Sequence, residues 1–145
     1  MTTVLVTGGF DPIHSGHIQL FTEAKKLGTK LIVGVNSDDW LARKKGRSFM
    51  SFEERVNIIR NLKMVDKVVA VDDADDTACQ AIFHTMCTNS GKIIFANGGD
   101  RNRENIPEMI EEGVQFLFGI GGNFKKNSSS SILDEWADFV QKNKG

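Results

Sequence analysis

Residues 8–17 carry the side chains best suited to chemistry in this sequence. They read Gly-Gly-Phe-Asp-Pro-Ile-His-Ser-Gly-His, a glycine-rich turn that ends in two histidines three residues apart. In the first turn of a helix, this spacing places His14 and His17 on the same side. Free backbone N–H groups and the helix dipole attract anions there, and Gly16 lets a polyphosphate approach the backbone closely. The segment therefore predicts a phosphate site with two imidazole donors.

The rest of the chain supplies elements that can position such a site. Apolar runs typical of buried strands lie at 4–6, 31–35, 67–71, 93–96 and 114–118, and helical patterns lie at 17–27, 51–62, 77–88, 106–112 and 131–142. Ser51 begins a capping-box pattern and marks a helix start. The alternation predicts one α/β domain over residues 1–145, a Rossmann-like doubly wound fold with a five-stranded parallel sheet. Ligands of such sheets bind beyond the carboxyl ends of the strands, where residues 8–17 follow the first strand.

Gly-Phe-Asp-Pro-Ile-His-Ser-Gly-His resembles the G-x-F-D-x-x-H-x-G-H signature of the nucleotidyltransferase superfamily, which includes cytidylyltransferases, adenylyltransferases and class I tRNA synthetases. Further counterparts in small cytidylyltransferases and heptose-phosphate adenylyltransferases are Val35-Asn36-Ser37-Asp38, the basic run 43–47, Phe52-Glu53-Glu54-Arg55 and Gly98-Gly99-Asp100. The serine run 128–131 looks like the Ile-Ser-Ser/Thr-Thr motif at the start of the last helix. It departs from that motif at Asn127, where the family has isoleucine.

The resemblance implies transfer of CMP or AMP, from CTP or ATP, to a small phosphorylated acceptor such as a polyol or sugar phosphate, with release of pyrophosphate. The implied catalytic residues are His14, His17, Lys44 and Lys45, the two lysines on a loop after the second strand, with Lys125 or Lys126 as substitutes. The implied nucleotide-binding residues are Gly9, Phe10, Asp11, Gly16, Asp100, Ser128, Ser129 and Ser130. Asp38 and Arg55 are candidates for substrate binding, or for holding the site loops together. The family also implies Mg²⁺ and a homodimer.

Other classes of function fit less well. The third glycine of a dinucleotide-binding G-x-G-x-x-G is missing, there is no tyrosine for a short-chain dehydrogenase, and no G-x-x-x-x-G-K-[ST] occurs. A tRNA synthetase would need an anticodon-binding domain, for which 145 residues leave no room. A non-catalytic nucleotide sensor of the same fold remains the alternative to an enzyme.

Composition narrows the partners and the location. Eighteen basic and nineteen acidic residues give a formal charge of −1, so no global positive field favours nucleic acid or an anionic membrane. The sequence shows no signal peptide, and none of its apolar runs approaches the ~20 residues needed to span a membrane. These features predict a cytoplasmic protein.

Two cysteines, an acidic run and a tryptophan also allow structural predictions. Cys79 and Cys87 stand about 12 Å apart in a predicted helix and, with His84, fit no compact zinc pattern, so we expect buried structural thiols and no metal ligands from the protein. The acidic run 72–76 is expected to stay hydrated and to complement the dipole of the following helix. Trp40 is expected either to stack on a base or to pack.

Overall fold

Five parallel strands form one sheet in the computed structural model of the protein, which describes residues 1–98, 114–120 and 128–143. The strands are β1 (Thr2–Gly8), β2 (Lys30–Val35), β3 (Lys67–Ala70), β4 (Lys92–Gly98) and β5 (Gln115–Ile120). Their order is β3-β2-β1-β4-β5, with Val6 opposite Val33 and Val4 opposite Ile94. The direction of winding reverses between β1 and β4, which makes their carboxyl ends the switch point where ligands bind. The predicted Rossmann-like architecture is confirmed.

Five helices connect or follow these strands in the described parts of the chain. They are α1 (Ser15–Lys25), α2 (Asp38–Lys45), α3 (Phe52–Arg60), α4 (Cys79–Thr88) and α5 (Ser129–Lys142). The Ser51 hydroxyl accepts the Glu54 N–H at 3.2 Å, so the helix start predicted there is confirmed. The helical pattern at 106–112 lies outside the described residues.

Side chains alternate between the two faces of the sheet, as the two-residue period of a strand requires. Val4 and Val6 of β1 pack with Phe21 and Ala24 of α1 and Ile59 of α3 on one face. On the opposite face, Leu5 and Ile32 pack with the α4 residues Ala81 and Ile82. Covering both faces explains why the strands are apolar nearly throughout. By contrast, α5 has no buried residue.

The expectation of a loop after β2 was wrong, because residues 38–45 form helix α2. The Ser37 hydroxyl caps this helix by accepting the Trp40 N–H at 3.0 Å. Leu41 is the only buried residue of α2. An eight-residue helix with one apolar anchor carries too little periodicity to be recognised from sequence. Its stability comes from contacts with distant loops, which are described below.

Two further expectations were wrong in part. Cys87 is exposed rather than buried, since it lies one turn from the exposed Phe83 on the outer side of α4, while Cys79 is half-buried. In the acidic run, Asp73 is buried, because the loop after β3 lies against the start of α2. The run ends before α4 begins at Cys79, so its effect on the helix dipole stays a prediction.

Candidate active site

The two histidines cap helix α1 in a reciprocal arrangement. Nδ1 of His14, the N-cap residue, accepts the Gly16 N–H at 3.0 Å, and Nδ1 of His17 accepts the His14 N–H at 3.2 Å. The rings stack with their centroids 3.9 Å apart and their planes at 30°. The helix start therefore fixes both imidazoles through the backbone.

This capping also selects the tautomer of each histidine. A neutral imidazole has one donor nitrogen and one acceptor nitrogen. Since both Nδ1 atoms accept backbone N–H groups, the proton of each neutral ring is assigned to Nε2 from the hydrogen-bond network. His14 and His17 therefore each carry an Nε2–H donor at the positive end of α1. This geometry suits an anionic oxygen.

Phe10 supports the histidine pair from the interior. It is buried, has a φ of 52° in the left-handed region, and its ring meets that of His17 edge-on at 5.0 Å. A Cβ at Gly8 would lie 2.9 Å from the Phe10 ring, so the glycine makes room for it. Because the Phe10 side chain belongs to the core, any nucleotide contact of this residue has to come from its backbone.

Asp11 joins residues 8–17, here called the histidine loop, to the segment that precedes α3. Its buried carboxylate accepts the Phe49 N–H at 2.7 Å and the Met50 N–H at 2.5 Å. Lys45 approaches the same residue, with Nζ 2.6 Å from the Asp11 carbonyl oxygen and 3.1 Å from its carboxylate. In this structure Asp11 therefore organises loops.

The two candidate lysines sit in the last turn of α2. Lys45 reaches Asp11 as described, and Nζ of Lys44 lies 4.9 Å from the centroid of the Trp40 ring. Helix α2 packs directly on the histidine loop, since a Cβ at Gly9 would lie 2.9 Å from Leu41 and 3.2 Å from Trp40. The structure thus brings both lysines to the loop that carries the histidines. Trp40 packs there against neighbouring residues.

Arg55 is fully buried and holds three segments of the site together. Its guanidinium donates to the carbonyl oxygens of Met50 at 3.0 Å, Gly9 at 2.8 Å and Asn36 at 2.7 Å, and to the Asp38 carboxylate at 2.7 Å. These residues come from the loops after β1 and β2, from the first residue of α2 and from the segment before α3. A side chain without exposed surface has no direct access to a substrate in this conformation.

Asp38 is half-exposed at the outer end of this arginine cluster. Partial burial of its carboxyl disfavours the charged form, but hydrogen bonds from Arg55, the Phe52 N–H and Ser48, together with the charge of Arg55, outweigh burial. The net effect lowers the pKa of Asp38 below its ordinary value. Asp38 is therefore ionised at neutral pH.

The serine run begins a second helix beside the histidine loop. Ser128 caps α5 by accepting the Ser131 N–H at 3.0 Å, and the Ser129 hydroxyl donates to the Pro12 carbonyl at 2.8 Å. Ser130 is exposed in the first turn. The N-termini of α1 and α5 thus meet at the same loop. Asp100, Lys125 and Lys126 lie outside the described residues.

Sequence reasoning missed Asn36, Ser37 and Asp73 as parts of this site. The Asp73 carboxylate accepts hydrogen bonds from Asn36 Nδ2 at 3.0 Å, the Ser37 N–H at 2.7 Å and the Ser37 hydroxyl at 2.7 Å. Burial disfavours its charged form, but these bonds dominate and lower the pKa of Asp73 below its ordinary value. The one available signal was a polar pair directly after a buried strand.

No three His, Cys, Asp or Glu side chains in the described ranges stand close enough together to hold a metal ion. Mg²⁺ is usually bound through one or two carboxylates and the phosphates of a substrate, and seldom in an all-protein cage. None of the described helices has the length and apolar character to cross a membrane.

An α/β sheet with two imidazole donors and two helix N-termini at its switch point defines a nucleotide-binding domain. The model of the family described as cytidylyltransferase-like matches residues 5–119, and the chain belongs to this family. Among relatives, Bifunctional protein HldE of Blochmanniella floridana is 38% identical over 137 residues, which cover 90% of this chain and 26% of that protein. HldE of Syntrophotalea carbinolica is 32% identical over 142 residues, covering 93% and 28%. The chain spans about a quarter of the length of these curated relatives.

Solved structures show the same fold. The lipopolysaccharide core biosynthesis protein from Thermoplasma volcanium GSS1 superposes with a TM-score of 0.65 at 26% identity, covering 81% of this chain and 95% of that one. A bifunctional NMN adenylyltransferase/ADP ribose pyrophosphatase from Francisella tularensis, complexed with AMP and a Mn ion, gives a TM-score of 0.63 over 94% of this chain and 42% of that one. At 16% identity the latter shows the fold alone. Family, relatives and fold together identify this chain as a cytidylyltransferase-like domain.

Proposed function

We propose that the protein transfers AMP from ATP to a small sugar or polyol phosphate and releases pyrophosphate. The observation that carries the proposal is the stacked pair of His14 and His17, whose Nδ1 atoms are both engaged by the backbone at the start of α1. The resemblance to heptose-phosphate adenylyltransferases and the similarity to HldE proteins support AMP as the transferred group. CMP from CTP is the second candidate, because the matching family model is cytidylyltransferase-like.

In the proposed reaction, a phosphate oxygen of the acceptor attacks the α-phosphorus of the nucleotide in line. A new P–O bond forms there, and the bond to the bridging oxygen of the β-phosphate breaks, so pyrophosphate leaves with that electron pair. The acceptor phosphate is already an anion and needs no general base. The protein accelerates the step mainly through positioning and charge stabilisation. The Nε2–H groups of His14 and His17 donate to phosphate oxygens as charge develops on them.

The remaining candidate residues have supporting roles in this proposal. The backbone at Gly9, Phe10 and Gly16 lies along the triphosphate, and the serine run at the start of α5 donates to its far end. Lys44 and Lys45 supply positive charge from α2. Mg²⁺, when bound with the nucleotide, neutralises phosphate charge. Asp100 is proposed to contact the ribose or the base.

Asp11, Asp38 and Arg55 are proposed to position the site loops. Contacts within the protein support this role, since Arg55 is buried and the Asp11 carboxylate accepts hydrogen bonds from backbone N–H groups. This assigns to Asp38 and Arg55 the loop-holding role that was the alternative to substrate binding.

Pyrophosphate release tests the proposal directly. The protein is incubated with ATP, CTP, GTP or UTP, Mg²⁺ and a panel of sugar and polyol phosphates, alongside His17→Ala and the control His84→Ala on the exposed side of α4. We expect release with ATP and one acceptor class, loss in His17→Ala, and no change in the control. Release with CTP instead would support the second candidate. A nucleotide-induced rise in Tm without pyrophosphate from any acceptor would identify the non-catalytic sensor.

Three expectations from the sequence stay predictions. These are the extent of the domain over residues 1–145, the cytoplasmic location and the homodimer, and the homodimer rests on the family resemblance alone. Light scattering coupled to size-exclusion chromatography measures the mass of the particle. A mass of twice 16.1 kDa would support the homodimer, and a single-chain mass would contradict it.

A further inference from the structure

Helix α2 is held at both ends by the loop that follows β3. At its start, both oxygens of the Asp73 carboxylate accept hydrogen bonds from the cap residue Ser37, through the N–H and the hydroxyl at 2.7 Å each. Near its end, Nη2 of Arg43 donates to the Asp73 carbonyl oxygen at 2.8 Å. Arg43 also pairs with the Asp76 carboxylate at 2.9 Å. One residue of this loop therefore contacts the first and the last turn of the helix.

Apolar packing alone holds α2 weakly. Leu41 is its only buried residue, so a single apolar side chain anchors it in the core. The polar contacts with the β3 loop are correspondingly important for its placement. The Asp73 side chain is almost completely buried, and a buried carboxylate with three donors resists displacement because leaving them would cost several hydrogen bonds.

The placement of α2 determines where its lysines lie. Nζ of Lys45 is 2.6 Å from the Asp11 carbonyl oxygen in the histidine loop, a contact that tolerates little movement of the helix. Lys44 lies one turn from Trp40, which packs against Gly9 of that loop. A shift of α2 by about 1 Å would move both ammonium groups relative to His14 and His17.

We propose that Asp73 is a positioning residue for nucleotidyl transfer, which acts through α2 to place Lys44 and Lys45 beside the histidine loop. The inference rests on the proposed function for its effect on turnover, but the contact chain from Asp73 through Ser37 and α2 to Asp11 does not depend on it. Asp73 touches neither nucleotide nor acceptor in this role.

The test compares Asp73→Asn with Asp72→Asn, its exposed neighbour in the same loop. We expect Asp73→Asn to lower kcat/KM on the order of 100-fold, as misplacement by about 1 Å can, and Asp72→Asn to leave it unchanged. Asp73→Glu, which retains the carboxylate, should recover part of the loss. Asp73→Asn is then made in a Lys44→Met background and, separately, in a Lys45→Met background. In at least one of them it should cost much less than in the wild type, because two changes that act through one contact are not additive. An equal loss in the wild type and in both single-lysine backgrounds would overturn the proposal.

A second readout does not require turnover. The chain has two tryptophans, so Trp136→Phe leaves Trp40 on α2 as the single emitter. Asp73→Asn should shift the Trp40 emission in the folded protein, and Asp72→Asn should not. If the wild type releases no pyrophosphate, the proposed function fails while this emission shift still supports the role of Asp73. Unchanged emission in a folded Asp73→Asn variant would refute it.

Should Asp73→Asn not fold, Arg43→Met removes the other contact between the loop and α2. Arg43 is partly exposed, so this variant is expected to fold. It should lower kcat/KM in the same direction by a smaller factor and shift the Trp40 emission. If Arg43→Met changes neither kcat/KM nor the Trp40 emission, the proposal is refuted.

Discussion

Replacing the buried arginine of the site, Arg55→Met, should destabilise the protein by about 3–5 kcal/mol, the range for breaking a buried charged cluster. The substitution removes the donors of three backbone carbonyl groups, those of Gly9, Asn36 and Met50. Each buried acceptor without a partner costs about 1–3 kcal/mol. Gly9 and Met50 are half-buried, so water can reach their carbonyl groups in part, and their costs lie at the lower end of this range. The carboxylate of Asp38 is half-exposed, so water can solvate it once Arg55 is removed, and the lost ion pair adds little to the destabilisation.

Urea unfolding followed by circular dichroism measures this loss. With a slope typical of small domains, the midpoint should fall on the order of 2 M. Arg60→Met provides a matched control, because Arg60 is the exposed last residue of the same helix, α3. The control should stay within about 0.5 kcal/mol of the wild type. Arg55→Lys should lie between the two, since a single ammonium cannot replace the planar fork. A loss below about 1 kcal/mol for Arg55→Met would refute the reasoning.

Three further predictions concern the site. His17→Ala should lower kcat by roughly 10²–10³-fold with a smaller change in KM, because its donor acts mainly in the transition state; near-normal kcat would contradict the assignment. Alanine at both Lys44 and Lys45 should abolish turnover and lower the urea midpoint only modestly, since Lys45 loses its contact with Asp11 but neither side chain is part of the core; full activity would place the cationic role elsewhere. The pKa values of Asp38 and Asp73 are lowered by folding, so their stabilisation is complete above the unfolded value near 3.8 and is lost as pH falls from there through the lower folded value. Urea midpoints between pH 7 and pH 3 should show this loss, and Asp73→Asn should reduce the acid-dependent part; an unaltered pH dependence in the variant would contradict it.

The sheet and the placement of the two histidines at a helix start were predictable because their signals are local. Buried parallel strands are apolar over their whole length, and the histidine spacing needs only one helical turn to take effect. The start of α3 was predictable for the same reason, since Ser51 and Glu54 are three residues apart. In each case, the residues that determine the structure are neighbours in the sequence.

Helix α2 and the burial of Arg55 and Asp73 could not be predicted, because their partners are distant in sequence. Arg55 bonds Gly9, 46 residues away, and Asp73 bonds Ser37, 36 residues away. An arginine in a helix and an aspartate in an acidic run are usually solvated, so sequence alone predicts that both lie on the surface. Only the folded chain shows that both are buried with their hydrogen bonds satisfied.

Two of the buried charged side chains, Arg55 and Asp73, hold the loops at the switch point together. Arg55 binds carbonyl oxygens that follow β1 and β2, and Asp73 binds N–H and hydroxyl groups that follow β2, so together they link three consecutive loops. Asn36 connects them directly, since its carbonyl oxygen accepts from Arg55 and its amide donates to Asp73. Loops after parallel strands carry exposed backbone groups with no ladder partner, and charged side chains satisfy these groups more strongly than neutral ones. A rigid backbone there holds the two imidazoles and the α2 lysines in place before any ligand binds, which is the condition under which preorganised donors stabilise a transition state.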